Sequence, residues 1–134
     1  MKTSTIRQTA TFPAEPRDVY ELIMDARKHT AFSGSKVTMS KKEDGKFSVF
    51  DGYCHGYNIS LKEGKEIVQA WHFDEDGWPA DHFSICTFRF ERKGKQTKMT
   101  FIQHGVPQHK TESLKRGWKE FYWGPMKTFL QRKG

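Results

Sequence analysis

Apolar and polar positions alternate with a period of two through most of the chain between residues 36 and 104. Such alternation is typical of β-strands that bury one face. Short turn sequences, such as Glu43-Asp44-Gly45 and Arg92-Lys93-Gly94-Lys95, separate the alternating segments. Consecutive strands joined by short turns predict an antiparallel meander. With an earlier Thr-rich segment, the predicted strands are 5–12, 36–40, 46–50, 57–62, 66–73, 83–91 and 97–104.

Helical spacing follows the first of these strands. Pro16 suits the first turn of a helix, where its missing N–H is not needed. Val19, Leu22 and Ile23 then recur at spacings of three and four, which gives the helix an apolar face. A second short helix is predicted over 26–32, and Gly34 would end it because glycine readily adopts the left-handed conformation of a helix end.

The longest predicted helix covers 112–133, near the C-terminus. Pro125 lies inside it and lacks the N–H that would bond the carbonyl of Phe121, so we expect a kink or a restart near Gly124. A wide apolar stripe runs along this helix. Its members are Leu114, Trp118, Phe121, Tyr122, Phe129 and Leu130.

The order of these elements predicts an α+β helix-grip fold. In it a curved antiparallel β-sheet wraps around a long C-terminal helix, and two short helices follow the first strand. The length of 134 residues predicts one domain over 1–134, which is large enough to bury a core without disulfides or metals.

Composition narrows the class of protein. Aromatic residues make up 14% of the chain, so a few large side chains can either fill a core or line a cavity. The net charge of +7 attracts anions, but the aromatic residues follow core periodicity, and we therefore expect no nucleic-acid binding. Cys54 and Cys86 fit no metal or redox spacing, and the first ten residues are polar. No apolar run approaches the ~20 residues of a membrane span, so we expect a cytoplasmic protein with reduced thiols and no membrane insertion.

Short motifs run in order along nearly the whole chain, and their order is more specific than any one of them. The motifs are Phe12-Pro13-Ala14 with Val19-Tyr20 and Leu22, Lys28-His29 with Phe32-Ser33-Gly34, Phe47 with Gly52, Gly56-Tyr57-Asn58 and Leu61, Lys65-Glu66-Ile67-Val68-Gln69-Ala70-Trp71, Gly77-Trp78-Pro79, Gly105-Val106-Pro107, and Gly117-Trp118 with Tyr122, Pro125 and Leu130. In these motifs the chain resembles the superfamily of the birch-pollen allergen and the lipid-transfer START domains. Within it, the resemblance is strongest to the C-terminal domain of activators of the heat-shock protein 90 ATPase.

The resemblance implies an apolar cavity between the sheet and the long helix. Relatives bind lipids, sterols or polyketides, and some are cyclases or other enzymes. The chaperone activators carry an additional N-terminal domain, which we expect this chain to lack because it begins at its first strand.

The leading hypothesis is therefore the non-catalytic binding of a small apolar or amphipathic molecule in that cavity, with no cofactor. Aromatic richness is equally compatible with a filled core. The alternatives are a chaperone-associated module that acts through its surface, and a cyclase- or hydrolase-type enzyme that uses the cavity. The expected ligand-binding residues are Tyr57, Ile59, Gln69, Trp71, Trp78, Phe88, Phe101, His104, Trp118, Tyr122 and Phe129.

The stretch WHFDEDGWPADHFS, residues 71–84, concentrates acids, histidines and tryptophans. Exposed carboxylates lack the burial that raises a pKa for acid catalysis, so we interpret 74–81 as a loop between two strands. Trp78 is expected to cap the open end of the grip. His82 and His104 are the candidates for the enzyme alternative. His72 and His82 could approach each other, but zinc needs a third ligand, so no metal site is expected.

Overall fold

A computed structural model describes residues 1–133, so Gly134, the last residue of the predicted domain, lies outside the described residues. Within that range the strands form one antiparallel, seven-stranded sheet in the order β1-β7-β6-β5-β4-β3-β2. The predicted meander and helix-grip architecture are confirmed. The strands are β1 Thr3–Phe12, β2 Thr38–Met39, β3 Lys46–Val49, β4 Cys54–Lys62, β5 Glu66–Phe73, β6 Ser84–Lys93 and β7 Gln96–Pro107.

Two short helices follow β1, as predicted. α1 spans Pro16–Met24 and has Pro16 in its first turn. α2 spans Ala26–Ser33, and the Asp25 carboxylate accepts a hydrogen bond of 3.1 Å from the Lys28 N–H at its start. Gly34 ends α2 with a φ of 75°, a left-handed conformation that glycine adopts without a steric penalty.

The long C-terminal helix contains a π-helical turn. α3 spans Thr111–Trp118, the π-helical turn spans Lys119–Trp123, and α4 spans Gly124–Lys133. The Gly124 N–H bonds the carbonyl of Lys119, five residues earlier. Pro125 has no N–H to continue the ordinary pattern, so the predicted irregularity takes the form of a π-turn instead of a break.

The π-turn changes which residues of this helix face the sheet. Tyr122 and Trp123 are both buried although they are adjacent, and Met126 is completely buried. Phe121, which we predicted to belong to the buried stripe, is 52% exposed. The prediction was wrong because it continued a period of 3.6 residues through a turn that is wider than that of an α-helix.

An aromatic cluster fills the centre of the grip between sheet and helix. The rings of Phe101 and Trp118 lie 4.4 Å apart, and Trp118 stacks on Trp123 at 5.4 Å. Phe88 packs on Phe101 at 5.1 Å. The filled-core interpretation therefore describes this central region, and open space between sheet and helix lies toward one end of the sheet.

Candidate ligand-binding cleft

A cleft of about 500 Å³ lies between the C-terminal helix and the adjoining ends of β4 and β5. Its buried walls are mostly aromatic, whereas Tyr53 and Phe121 at its mouth are 43% and 52% exposed. The short 3₁₀ turn Phe50–Gly52 and the first turns of α3 complete the walls. The lining residues are Phe50, Tyr53, Cys54, Trp71, Phe73, Glu75, Ser113, Leu114, Gly117, Trp118, Phe121 and Tyr122.

Glutamine side chains hold the two indoles of the cleft in place. Trp71 Nε1 donates a hydrogen bond of 2.9 Å to Gln69 Oε1, and Gln69 Nε2 donates in turn to Asn58 Oδ1 at 2.9 Å. Trp118 Nε1 donates to Gln103 Oε1 at 2.8 Å. Because both indole N–H groups have protein partners, Trp71 and Trp118 present apolar surface to the cleft.

Tyr122 is anchored from behind by His29, which is completely buried on α2. The Tyr122 hydroxyl lies 2.8 Å from His29 Nε2, and His29 Nδ1 lies 3.0 Å from the Ile23 carbonyl. The carbonyl can only accept, so Nδ1 carries the proton and the Tyr122 hydroxyl donates to Nε2. Burial lowers the pKa of His29 to about 4 and raises the pKa of Tyr122 well above its usual value, so both groups are neutral near pH 7.

A polar group closes one side of the cleft mouth. The Tyr53 hydroxyl donates a hydrogen bond to the Glu75 carboxylate, and Lys110 Nζ lies 3.7 Å from the same carboxylate. Desolvation of the phenol and its bond to Glu75 raise the pKa of Tyr53. These contacts connect the turn before β4, the β5–β6 loop and the segment before α3.

The backbone of the turn that contains Phe50 is strained. Phe50 and Asp51 have φ angles of 50° and 56°, a left-handed conformation that is uncommon for residues other than glycine. The Phe50 ring packs edge-on against Phe121 and Tyr122, with centroids 6.0 and 5.7 Å away. Strained backbone of this kind is often found at functional sites.

Six of the eleven predicted ligand-binding residues lie on the inner side of the sheet or on the helix facing it. Trp71, Trp118 and Tyr122 line the cleft. Gln69 is buried behind Trp71, to which it is hydrogen-bonded. The remaining two, Phe88 and Phe101, are completely buried in the central aromatic cluster.

Three predicted residues lie on the opposite, outer face of the sheet, and their predicted inward orientation was wrong. Tyr57 and Ile59 are 40% and 39% exposed, because β4 turns Cys54, Gly56 and Asn58 inward instead. An alternating pattern assigns residues to the two faces of a strand, but it does not show which of the two faces is buried. His104 is also exposed, and its Nδ1 lies 3.2 Å from the hydroxyl of Thr5 on β1.

The other predicted positions lie outside the cleft. Trp78 is buried but packs on Phe73 at 4.7 Å without lining the cleft, and its indole N–H donates to the His82 carbonyl at 2.8 Å. The loop 74–83 is thus ordered by its own contacts. His82 Nε2 donates to the Gly105 carbonyl at 2.6 Å, so neither histidine of the enzyme alternative faces the cleft. Phe129 lies by a separate groove between α4 and the N-terminal end of α1.

Sequence reasoning missed most of the cleft mouth. Phe50, Tyr53 and Glu75 lie in turns, where no periodic sequence pattern indicates which way a side chain points. Phe73 could have been found, since it is in step with Gln69 and Trp71 on β5, whereas Cys54 lies on the face of β4 that was predicted to point outward. Among residues 1–133, no three His, Cys, Asp or Glu side chains are grouped so that they could hold a metal ion. Within the same range, each helix is too short or too polar to cross a membrane.

A curved antiparallel sheet, a long helix across it and a cleft between them define a helix-grip protein. The family model described as Activator of Hsp90 ATPase homolog 1-like protein matches residues 13–131, and the chain belongs to this family.

Relatives of known sequence and structure agree with this assignment. An activator of 90 kDa heat shock protein ATPase homolog from Dictyostelium discoideum is 34% identical over 118 residues, which cover 87% of this chain and 30% of that protein. Homolog 2 of the same activator from Mus musculus is 25% identical over 129 residues, 96% of this chain and 38% of that protein. The chain thus spans about a third of the length of these curated relatives.

Solved structures share the fold. The crystal structure of an HSP90 activator from Plasmodium falciparum superposes with a TM-score of 0.86 at 24% identity, covering 95% of this chain and 96% of that one. A protein from Mesorhizobium loti superposes with a TM-score of 0.84 at 14% identity, covering 98% and 99%.

Proposed function

We propose that this chain binds a small apolar or amphipathic molecule in the cleft between the sheet and the C-terminal helix, without chemical conversion. The observation that carries this proposal is the cleft itself, which has aromatic walls and a volume of about 500 Å³. Sites for small molecules typically have volumes of about 300–1,000 Å³ and are mostly apolar with a few placed polar groups.

The polar groups at the mouth favour an amphipathic ligand. The apolar part would lie against Trp71, Trp118 and Tyr122, whose polar atoms are already bonded to the protein. A hydroxyl or amine at the other end of the ligand could exchange hydrogen bonds with Glu75 and Tyr53 at the mouth. The role that follows is sequestration, sensing or carriage.

Gly117 gives a direct test, because it lines the cleft and has no side chain. A Cβ placed there would meet only Phe121 Cδ2, at 4.0 Å, so a larger side chain can enter the cleft. The variant Gly117→Leu should therefore fill the cleft, and leucine also forms helices more readily than glycine. The matched control is Arg116→Leu, which adds the same side chain at an exposed position of α3 that does not line the cleft.

The probe is the fluorescent amphiphile 1-anilinonaphthalene-8-sulfonate, titrated against the folded protein. We expect saturable binding to the unaltered protein and to Arg116→Leu, and a loss of roughly tenfold or more in affinity for Gly117→Leu. Equal binding by all three proteins would contradict the proposal. Native mass spectrometry of protein purified from its own host then searches for the natural ligand.

A second candidate function is supported by family membership. Relatives whose names state activation of the heat-shock protein 90 ATPase align with most of this chain. The chain would then act as a chaperone-associated module through its surface. The ATPase rate of purified heat-shock protein 90, measured with and without this chain, tests that role, and an unchanged rate would contradict it.

A further inference from the structure

The outer face of the sheet carries a patch of apolar side chains on the side away from the C-terminal helix. Tyr57 and Ile59 on β4 are 40% and 39% exposed. The solvent-facing side of an antiparallel sheet is ordinarily polar, so neighbouring apolar side chains there are unusual. Exposed apolar patches with polar rims mark interaction sites on otherwise solvated proteins.

Strand register shows that the patch is continuous across four strands. Tyr57 pairs with Ala70, which is completely buried, and Ala70 pairs with Ile85 on β6. Further along the strands, Ile59, which is the extra residue at the irregularity in β4, lies beside Val68 on β5. Val68 pairs with Thr87 on β6, and Thr87 pairs with Ile102 on β7. Phe83 extends the patch at one end, where its ring lies 5.7 Å from that of Tyr57. We define the outer patch as the exposed Tyr57 and Ile59 together with the half-buried Val68, Phe83, Ile85 and Ile102.

Cations flank the outer patch on both sides. Lys46 on β3 pairs with Tyr57, and Arg7 on β1 pairs with Ile102. Both are exposed, and neither forms an ion pair with another described residue. Of the carboxylates beside these strands, Glu66 is paired with Arg89 at 2.9 Å, and Glu43 accepts a hydrogen bond of 3.1 Å from the Leu61 N–H. Five strand spacings of about 4.8 Å separate Lys46 from Arg7, so the cations lie roughly 24 Å apart along the sheet.

We propose that the outer patch is the surface through which this chain docks on a protein partner, whose matching surface is an apolar strip flanked by carboxylates. The inference rests on the second candidate function and identifies the face that would meet the chaperone. Tyrosine, isoleucine and flanking arginine give the apolar centre and charged rim that protein interfaces have. A second copy of the chain is disfavoured as the occupant, because each copy carries unpaired cations beside the patch and a net charge of +7.

The test measures the affinity of the full chain, fluorescently labelled, for purified heat-shock protein 90. The double variant Tyr57→Thr/Ile59→Thr removes the exposed apolar surface and keeps residues that favour strands. We expect its Kd to rise by roughly tenfold or more. The matched control is Glu91→Thr, an exposed change on the same face of β6 beyond the patch, and its Kd should be unchanged.

Charge reversal gives a second, independent arm. The double variant Arg7→Glu/Lys46→Glu should bind more slowly and show a weaker salt dependence of association than the unaltered chain, because steering by these two cations is removed. A benzophenone amino acid placed at position 57 should crosslink to the chaperone, whereas the same group at position 91 should not. Both crosslinker positions are exposed, so the crosslinking measurement leaves the other residues of the outer patch in place.

Any of the following outcomes would overturn the inference. Binding of the unaltered chain and the Tyr57→Thr/Ile59→Thr variant with equal affinity overturns the outer patch alone. Absence of any chaperone binding overturns the chaperone-associated function together with this surface. A dimer detected by sedimentation, or binding to phosphatidylcholine vesicles containing phosphatidylserine, that is lost in the same variant would assign the patch to a second copy or to a membrane instead.

Discussion

The indole N–H of Trp118 donates a hydrogen bond of 2.8 Å to Gln103 Oε1, across the centre of the grip from helix to sheet. Gln103 Nε2 donates in turn to Ser84 Oγ at 2.9 Å, and Ser84 donates to the Trp71 carbonyl at 3.2 Å. All four residues are buried. One glutamine therefore fixes the position of the helix on the sheet and, through Trp118, the shape of the cleft wall.

The variant Gln103→Met should destabilise the protein while keeping the volume of the side chain. It leaves the Trp118 N–H buried without an acceptor, a penalty of about 1–3 kcal/mol. Chemical denaturation measures the change in the free energy of unfolding. Gln96→Met, at an exposed position on the same strand, should change it by less than about 0.5 kcal/mol. A result for Gln103→Met within the range of this control would show that water or another group replaces the lost acceptor.

Periodicity predicted the strands because each buries one face against the helix. The predicted bounds of the strand Glu66–Phe73 are those observed, and Gln69 and Trp71 point inward as expected. The same reasoning failed for Tyr57, since alternation in β4 is equally compatible with either orientation. Sequence pattern therefore predicted the fold but only three of the twelve residues that line the cleft, namely Trp71 on β5 and Trp118 and Tyr122 on the C-terminal helix.

The rest of the cleft depends on irregular backbone, which periodicity does not describe. The π-turn at Lys119–Trp123 buries Trp123, which the helical stripe omitted, and turns Phe121 out to the cleft mouth. Pro125 indicates that the helix is irregular but not what form the irregularity takes. Likewise, the left-handed φ of Phe50 places its ring at the mouth without any signature in the local sequence.

Gly56 on β4 should not tolerate a side chain. A Cβ there would lie 1.7 Å from the carbonyl oxygen of Ala70 on β5, so the two strands would have to separate. We expect Gly56→Ala to reduce the free energy of unfolding by about 3 kcal/mol or more, in the range of the most damaging substitutions. Thermal and denaturant unfolding measure the change.

Gly117→Ala is the matched comparison for Gly56→Ala. Its Cβ would meet no atom closer than 4.0 Å, and alanine is favoured over glycine in a helix by about 1 kcal/mol. This variant should be as stable as the unaltered protein or slightly more so. Equal destabilisation by both alanine variants would refute the steric explanation given for Gly56.

The two thiols should react slowly and differently. Burial raises the pKa of both Cys54 and Cys86, so little reactive thiolate is present near neutral pH. Cys54 lines the cleft, whereas Cys86 is completely buried in the core. In native protein at pH 8, Ellman's reagent should modify Cys54 first, and Cys54→Ser should remove the faster phase. Simultaneous reaction of both thiols would indicate that modification occurs only on global unfolding.

The buried His29 should make stability fall as the pH is lowered. Its pKa is about 4 in the folded protein against 6.5 for an unperturbed histidine, so between these values the unfolded chain binds the extra proton. The effect is absent above pH 6.5, begins as the pH falls through that value, and amounts to on the order of 3 kcal/mol by pH 4.

The variant His29→Gln isolates this effect from the titration of carboxyl groups. Its absolute stability should be lower because the hydrogen bonds to Tyr122 and Ile23 are disturbed, but its stability should change less between pH 6.5 and pH 4. Urea unfolding at several pH values measures both slopes. Parallel slopes for the two proteins would mean that His29 accepts a proton without unfolding, for example by rotation of the Tyr122 hydroxyl away from Nε2.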